Sequence, residues 1–164
     1  MMTTTDVTQL EAWHALSFRS GSAWTDWHAF SPSTLALVSA TPGAYVLGLP
    51  AGVPLGRLLR ADPHRLLDVG EASNLNKRLN TLWRCATTQG TPGHMAGWRL
   101  GSMQLLARLG CRADELRVSW CMAGTKSEAY SHEGALLRTY FDLFGELPPL
   151  NYKFNWSGLA DEDE

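Results

Sequence analysis

The fold turns on two stretches, Gly43-Ala44-Tyr45-Val46-Leu47-Gly48-Leu49 and Leu66-Leu67-Asp68-Val69-Gly70-Glu71-Ala72-Ser73-Asn74-Leu75-Asn76-Lys77-Arg78-Leu79, joined by a connector rich in Pro, Gly and Arg. The first is a short apolar run introduced by Pro42-Gly43 and reads as a strand. The second begins as another short apolar run, so the two can pair as a hairpin with a long loop. Ser73-Asn74 then supplies N-cap chemistry for a helix over about 75–86, ended by Gln89-Gly90-Thr91-Pro92-Gly93. Further on, a helix is predicted over about 98–109 with a stop at Gly110. Leu116-Arg117-Val118-Ser119-Trp120-Cys121-Met122 alternates apolar and polar residues as a half-buried strand does. A last helix is predicted over about 127–144, with Gly145 as its stop. The order β-β-α-α-β-α describes a compact α/β domain, a small three-stranded sheet flanked by helices.

Working outward from that core, residues 1–41 read as an N-terminal extension. It holds a short amphipathic segment over 10–16 and a Ser/Gly/Trp-rich stretch through Trp24 and Trp27. Residues 42–151 form the core, and 152–164 an acidic C-terminal tail ending Asp161-Glu162-Asp163-Glu164. With 164 residues, 45% hydrophobic and including seven Trp, the chain has enough apolar mass for one folded domain and too much for intrinsic disorder. Its longest apolar runs, such as Leu35-Ala36-Leu37-Val38, fall far short of the roughly 20 residues that span a bilayer. The start lacks the basic and apolar regions of a secretion signal. Cys85, Cys111 and Cys121 are odd in number and widely spaced, which argues for buried free thiols in a reducing cytoplasm over a zinc ribbon or disulfide framework. Net charge is −2, yet residues 57–117 carry ten Lys/Arg against five Asp/Glu. That middle is a basic face, either merely solvated or able to meet a polyanion.

Two acids break the apolar pattern. On the last helix, Leu136, Leu137, Tyr140 and Phe144 all fall within about 60° of Glu133 when each residue advances about 100°. A carboxylate in that stripe must be ion-paired, hydrogen-bonded, neutral or metal-bound, unless the helix end overhangs solvent, because burying it alone costs several kcal/mol. Asp68 interrupts a strand, where Asp is disfavoured, and by alternation shares a face with Leu66 and Gly70. It is either a turn-capping residue or a functional acid. On the intervening helix Leu75, Leu79, Leu82 and Ala86 form the apolar stripe. Arg78 stands at its edge, whereas Lys77 and Arg84 point to the opposite side. Arg78 is either a snorkelling side chain or one that reaches across the sheet end. An arginine together with a buried acid is what phosphoryl chemistry uses: charge neutralisation on phosphate and a ligand for a divalent metal.

Gly43-Ala44-Tyr45, followed after a loop by Asp68-Val69-Gly70, resembles the two signature tripeptides of the GIY-YIG nucleases. Glu71-Ala72-Ser73-Asn74-Leu75-Asn76-Lys77-Arg78-Leu79 resembles that family's strand-to-helix segment with its catalytic arginine. Glu133 and Pro148-Pro149-Leu150-Asn151 are similar to the family's metal-binding glutamate helix and its asparagine-containing end. The resemblance spans about residues 41–151. It implies a GIY-YIG-like fold and a divalent-metal-dependent endonuclease that hydrolyses DNA phosphodiester bonds. Tyr45 would orient or activate the attacking water, Arg78 would bind the scissile phosphate, Glu133 would hold Mg²⁺ or Mn²⁺, and Asn151 would brace the site. The chain departs from the family where Asp68 replaces the second tripeptide's tyrosine, so Asp68 is either a general base, a further metal ligand, or the mark of a domain that no longer cleaves. The alternative is a non-cleaving nucleic-acid-binding or protein-interaction module on the same fold. The Trp-rich extension could dock a protein partner.

Overall fold

The computed structural model describes residues 24–155. Among them, four strands form one antiparallel sheet: β1 (His28–Ala29), β2 (Gly43–Gly48), β3 (Leu66–Ala72) and β4 (Arg117–Met122), in the spatial order β1-β4-β2-β3. Five helices accompany them: α1 (Pro32–Leu35), α2 (Leu75–Thr87), α3 (Met95–Gly101), α4 (Leu105–Leu109) and α5 (Lys126–Phe144). The expected three strands and their sequence order are present. The sheet nevertheless has a fourth, because His28–Ala29 pairs with Val118 and Arg117 at the edge of β4. Two residues carry no period, so no pattern marked them.

β2 lies in the middle and is buried along its whole length, paired with β3 on one side and β4 on the other. Its alternate side chains feed two cores. Tyr45 and Leu47 face Leu75, Leu79 and Leu82 of α2 and Leu100 of α3, whereas Val46 faces Leu136, Leu137, Tyr140 and Phe144 of α5. The sheet is thus the middle of three layers. Phe30, Leu35 and Val38, from the segment preceding the hairpin, complete the first core. Trp24 and Trp27 pack against the second, and the Arg117 guanidinium sits 4.8 Å from the Trp27 ring centroid. The amphipathic 10–16 segment and the terminal acidic run lie outside the described residues.

The pairing of β2 with β3 slips between Leu47 and Gly48, where one extra β3 residue is accommodated. Such a bulge reverses the phase of alternation. Asp68 therefore keeps its expected place on the Gly70 face, but Leu66 does not share it. Leu66 packs on the α5 side and Leu67 on the α2 side.

Asn74 caps α2, accepting the Lys77 N–H at 2.9 Å. Thr125 and Glu128 form a capping box at the start of α5, and Gly145, at φ 76°, ends it in the left-handed conformation that glycine adopts without cost. The single helix expected over 98–109 is instead two short ones, α3 and α4. Gln104 between them has φ 57°, a conformation that cannot continue a right-handed helix, and His94 rather than Trp98 marks the start.

Candidate active site

One cleft of about 670 Å³ opens beside β3, between the N-terminal ends of α2, α3 and α5. Tyr45, Asp68, Arg78, Glu133 and Asn151 all line it. The structure therefore brings together all five candidate site residues, on two strands, two helices and one turn.

Tyr45 stands opposite Gly70 in the β2–β3 register, and Asp68 is two residues from Gly70 on the same face. This makes Tyr45 and Asp68 diagonal neighbours. The Tyr45 hydroxyl donates to Asp68 Oδ2 at 2.6 Å, and His94 Nε2 lies 2.9 Å from the same hydroxyl. All three side chains are buried. Burial pushes the Asp68 carboxyl up to about 6, against the opposing effects of the Tyr45 hydrogen bond and the charges of Arg78 and Arg99. Burial, reinforced by Arg78, drives the His94 imidazole down to about 3, so it is neutral at physiological pH. Burial first, then the charge of Asp68, raises Tyr45 well above the usual phenol range.

Asn151 acts on the strand rather than on the cleft's contents. β3 is the sheet edge, and its Val69 N–H and C=O face outward. Asn151 Oδ1 accepts that N–H at 2.9 Å, and Nδ2 donates to that carbonyl at 2.8 Å. The Leu150 N–H donates to the Leu67 carbonyl at 2.8 Å. The turn after Pro148-Pro149 thus substitutes for a further strand and fixes the stretch between Asp68 and Gly70. Arg99 of α3 holds the turn by donating to the Leu150 carbonyl at 3.3 Å.

Glu133 lies one turn before the buried Leu136 and Leu137, where the α5 stripe runs past the sheet into the cleft. Its Oε2 accepts from Asn155 Nδ2 at 2.7 Å, and that amide also donates to the Tyr130 carbonyl. Burial raises the Glu133 carboxyl; the neighbouring charges of Glu71 and Asp68 add to this, and the Asn155 hydrogen bond and Lys126 oppose it. Glu71, acidic beside the arginine, is ion-paired with Lys126. Arg78 reaches the cleft from the first turn of α2, as its stripe-edge angle indicates, while Lys77 and Arg84 are exposed. The Arg78 Nε is buried and makes no hydrogen bond among the described residues.

These groups fit a particular kind of metal site. No set of three or more His, Cys, Asp or Glu converges among the described residues, so a cage of protein ligands is not built here. A cation of the Mg²⁺ type needs only one or two carboxylates and keeps its waters. Glu133, destabilised as an anion by burial first and by two neighbouring acids second, suits that role, with Oε2 already oriented by Asn155.

His94 and Asn155 were missed by sequence reasoning. His94 follows Pro92-Gly93 and caps α3 through Nδ1, which accepts the Gly97 N–H at 3.4 Å. An imidazole is an unusual cap, and no spacing linked it to Tyr45. Asn155 meets Glu133 only because the chain turns back after the prolines. Comparison of the chain with family models, with curated proteins and with solved structures found no match. No helix among the described residues is long and apolar enough to cross a membrane.

Proposed function

We propose that the protein is a divalent-metal-dependent endonuclease acting on DNA phosphodiester bonds, as its resemblance to the GIY-YIG nucleases implies. The observation that carries this reading is Arg78. Its buried Nε, without a hydrogen-bond partner among the described residues, shares one cleft with a phenol held by a carboxylate and with Glu133. A guanidinium with an uncommitted N–H in a partly enclosed cleft is suited to a phosphate oxygen.

In this reading Arg78 binds and neutralises the scissile phosphate. The Tyr45 hydroxyl orients the attacking water, and Asn151 keeps β3 in register beneath it. Glu133 would hold Mg²⁺ or Mn²⁺, which when bound supplies positive charge to stabilise the charge developing on the leaving oxygen. The excess of Lys/Arg over Asp/Glu in residues 57–117 favours a polyanion.

A second reading is a non-cleaving module that binds nucleic acid or protein. It is favoured by Asp68, which stands where the family's tyrosine would and adds a third acid near Glu133 and Glu71. The test is incubation of the full chain with supercoiled, linear and branched DNA, with Mg²⁺, Mn²⁺ or chelator. Cleavage that chelator abolishes supports the nuclease. Binding without cleavage on every DNA and with either metal overturns it in favour of the module.

A further inference from the structure

We propose that Asp68, Tyr45 and His94 form a proton relay, in which Tyr45 takes a proton from the attacking water while passing its own to Asp68, and His94 holds the phenol oxygen in line. This deepens the nuclease reading and rests on it.

The hydrogen bonds give the relay one direction. His94 Nδ1 accepts the Gly97 backbone N–H at 3.4 Å, so in the neutral ring Nδ1 carries no proton and Nε2 does. Nε2–H therefore donates to the Tyr45 oxygen at 2.9 Å. The Tyr45 hydroxyl, with one lone pair occupied, donates its proton to Asp68 Oδ2 at 2.6 Å. Every group in the chain is satisfied in this arrangement and in no arrangement with the imidazole tautomer reversed. The backbone of α3 thus fixes the orientation of a side chain on β2.

The acidities suit such a transfer. Tyr45 rests as a phenol, since burial and the Asp68 charge oppose its ionisation. It can release a proton only as it gains one. Asp68, raised to about 6 by burial, is largely ionised at neutral pH yet a stronger base than an ordinary carboxylate. In the step itself the water oxygen bonds to phosphorus and its proton passes to the Tyr45 oxygen. The phenol proton passes to Asp68 Oδ2. The bond from phosphorus to the leaving oxygen breaks, and its electron pair goes with that oxygen, which takes a proton from bulk water. Asp68 then returns its proton to solvent, leaving the protein unchanged. Asp68 is thereby assigned as the relay's base, and His94 is a positioning residue that acts through Tyr45.

The experiment uses the full chain with 3-fluorotyrosine in place of tyrosine, the Tyr45 ¹⁹F resonance being assigned by its loss in Tyr45→Phe. DNA cleavage and DNA affinity are measured in parallel with Mg²⁺. In Asp68→Asn, which can accept the phenol's hydrogen bond but not its proton, kcat should fall by about a hundredfold or more with Kd for DNA unchanged. In His94→Phe the Tyr45 resonance should move and kcat should fall with Kd unchanged. His94→Gln, whose amide restores an N–H donor, should recover part of both. If wild type cleaves and Asp68→Asn cleaves equally well, the relay is wrong and the nuclease reading stands. An unmoved Tyr45 resonance in His94→Phe likewise overturns the part assigned to His94. If wild type cleaves no DNA, the nuclease reading fails and the relay fails with it.

Discussion

The ring of Tyr45 occupies the volume that any side chain at position 70 would require: a Cβ built on Gly70 would lie 2.5 Å from both Tyr45 Cε1 and its hydroxyl oxygen. The third residue of Asp68-Val69-Gly70 is a glycine because the phenol needs the space above it to reach Asp68. Gly70→Ala should destabilise the fold by about 1–3 kcal/mol, the usual cost of overpacking a tight core, and should displace the phenol from Asp68. Denaturant unfolding reads the first effect and the Tyr45 ¹⁹F shift the second. A wild-type midpoint would mean that Tyr45 stands clear of β3.

Glu133→Gln should abolish cleavage while leaving the protein folded and no less stable. Burial and the charges of Glu71 and Asp68 make the ionised carboxylate unfavourable, and the neutral amide removes that penalty. Mg²⁺ at a hundredfold excess over Kd should stabilise wild type by about 2.7 kcal/mol and Glu133→Gln by far less. Thermal melts with and without metal provide the comparison. An equal rise in both would move the metal away from Glu133.

Arg78→Ala should lower cleavage far more than Arg84→Ala, because only Arg78 lines the cleft. Loss of one phosphate contact should also flatten the slope of log K for DNA against log salt by about one unit. Titrations at several salt concentrations check this. Equal effects from the two substitutions would indicate a diffuse basic face.

Asp68 makes stability depend on pH. Its carboxyl rises from 3.8 unfolded to about 6 folded, with Tyr45, Arg78 and Arg99 facing it and His94 neutral beyond the phenol. The native state therefore holds the Asp68 proton more tightly than the unfolded chain does. That contribution is fully present below the unfolded value and is lost as pH rises through about 6. Between roughly pH 4 and pH 6 wild type should lose stability relative to Asp68→Asn, on the order of 3 kcal/mol for a shift of this size. Parallel unfolding curves at all pH values would show that the acid is not strained.

Much of this site was legible in the sequence because its residues violate local patterns. Asp68 interrupts an apolar strand, and Glu133 stands within 60° or so of four core residues on a helix. Arg78 sits at a stripe's edge, and each violation proved to be an exposure to the same cleft. What escaped has no local signature. The β3 bulge shifts Leu66 to the other face, a change that depends on pairing rather than composition. The break at Gln104 rests on a single left-handed residue. His94 and Asn155 reach the site through chain reversals, which spacing along the sequence does not encode. Glu71, an acid lining the same cleft as Arg78, is ion-paired with Lys126, a residue 55 positions away.

Residues 150–155 supply the amide that closes the β3 edge, the amide that orients Glu133, and one wall of the cleft. A growing chain would therefore carry Tyr45, Asp68, Arg78, His94 and Glu133 before it could arrange them. Until Asn151 arrives, β3 presents an open edge to any neighbouring strand, and until Asn155 arrives Glu133 lacks its tether. The geometry of the cleft is therefore complete only once residues 150–155 are in place.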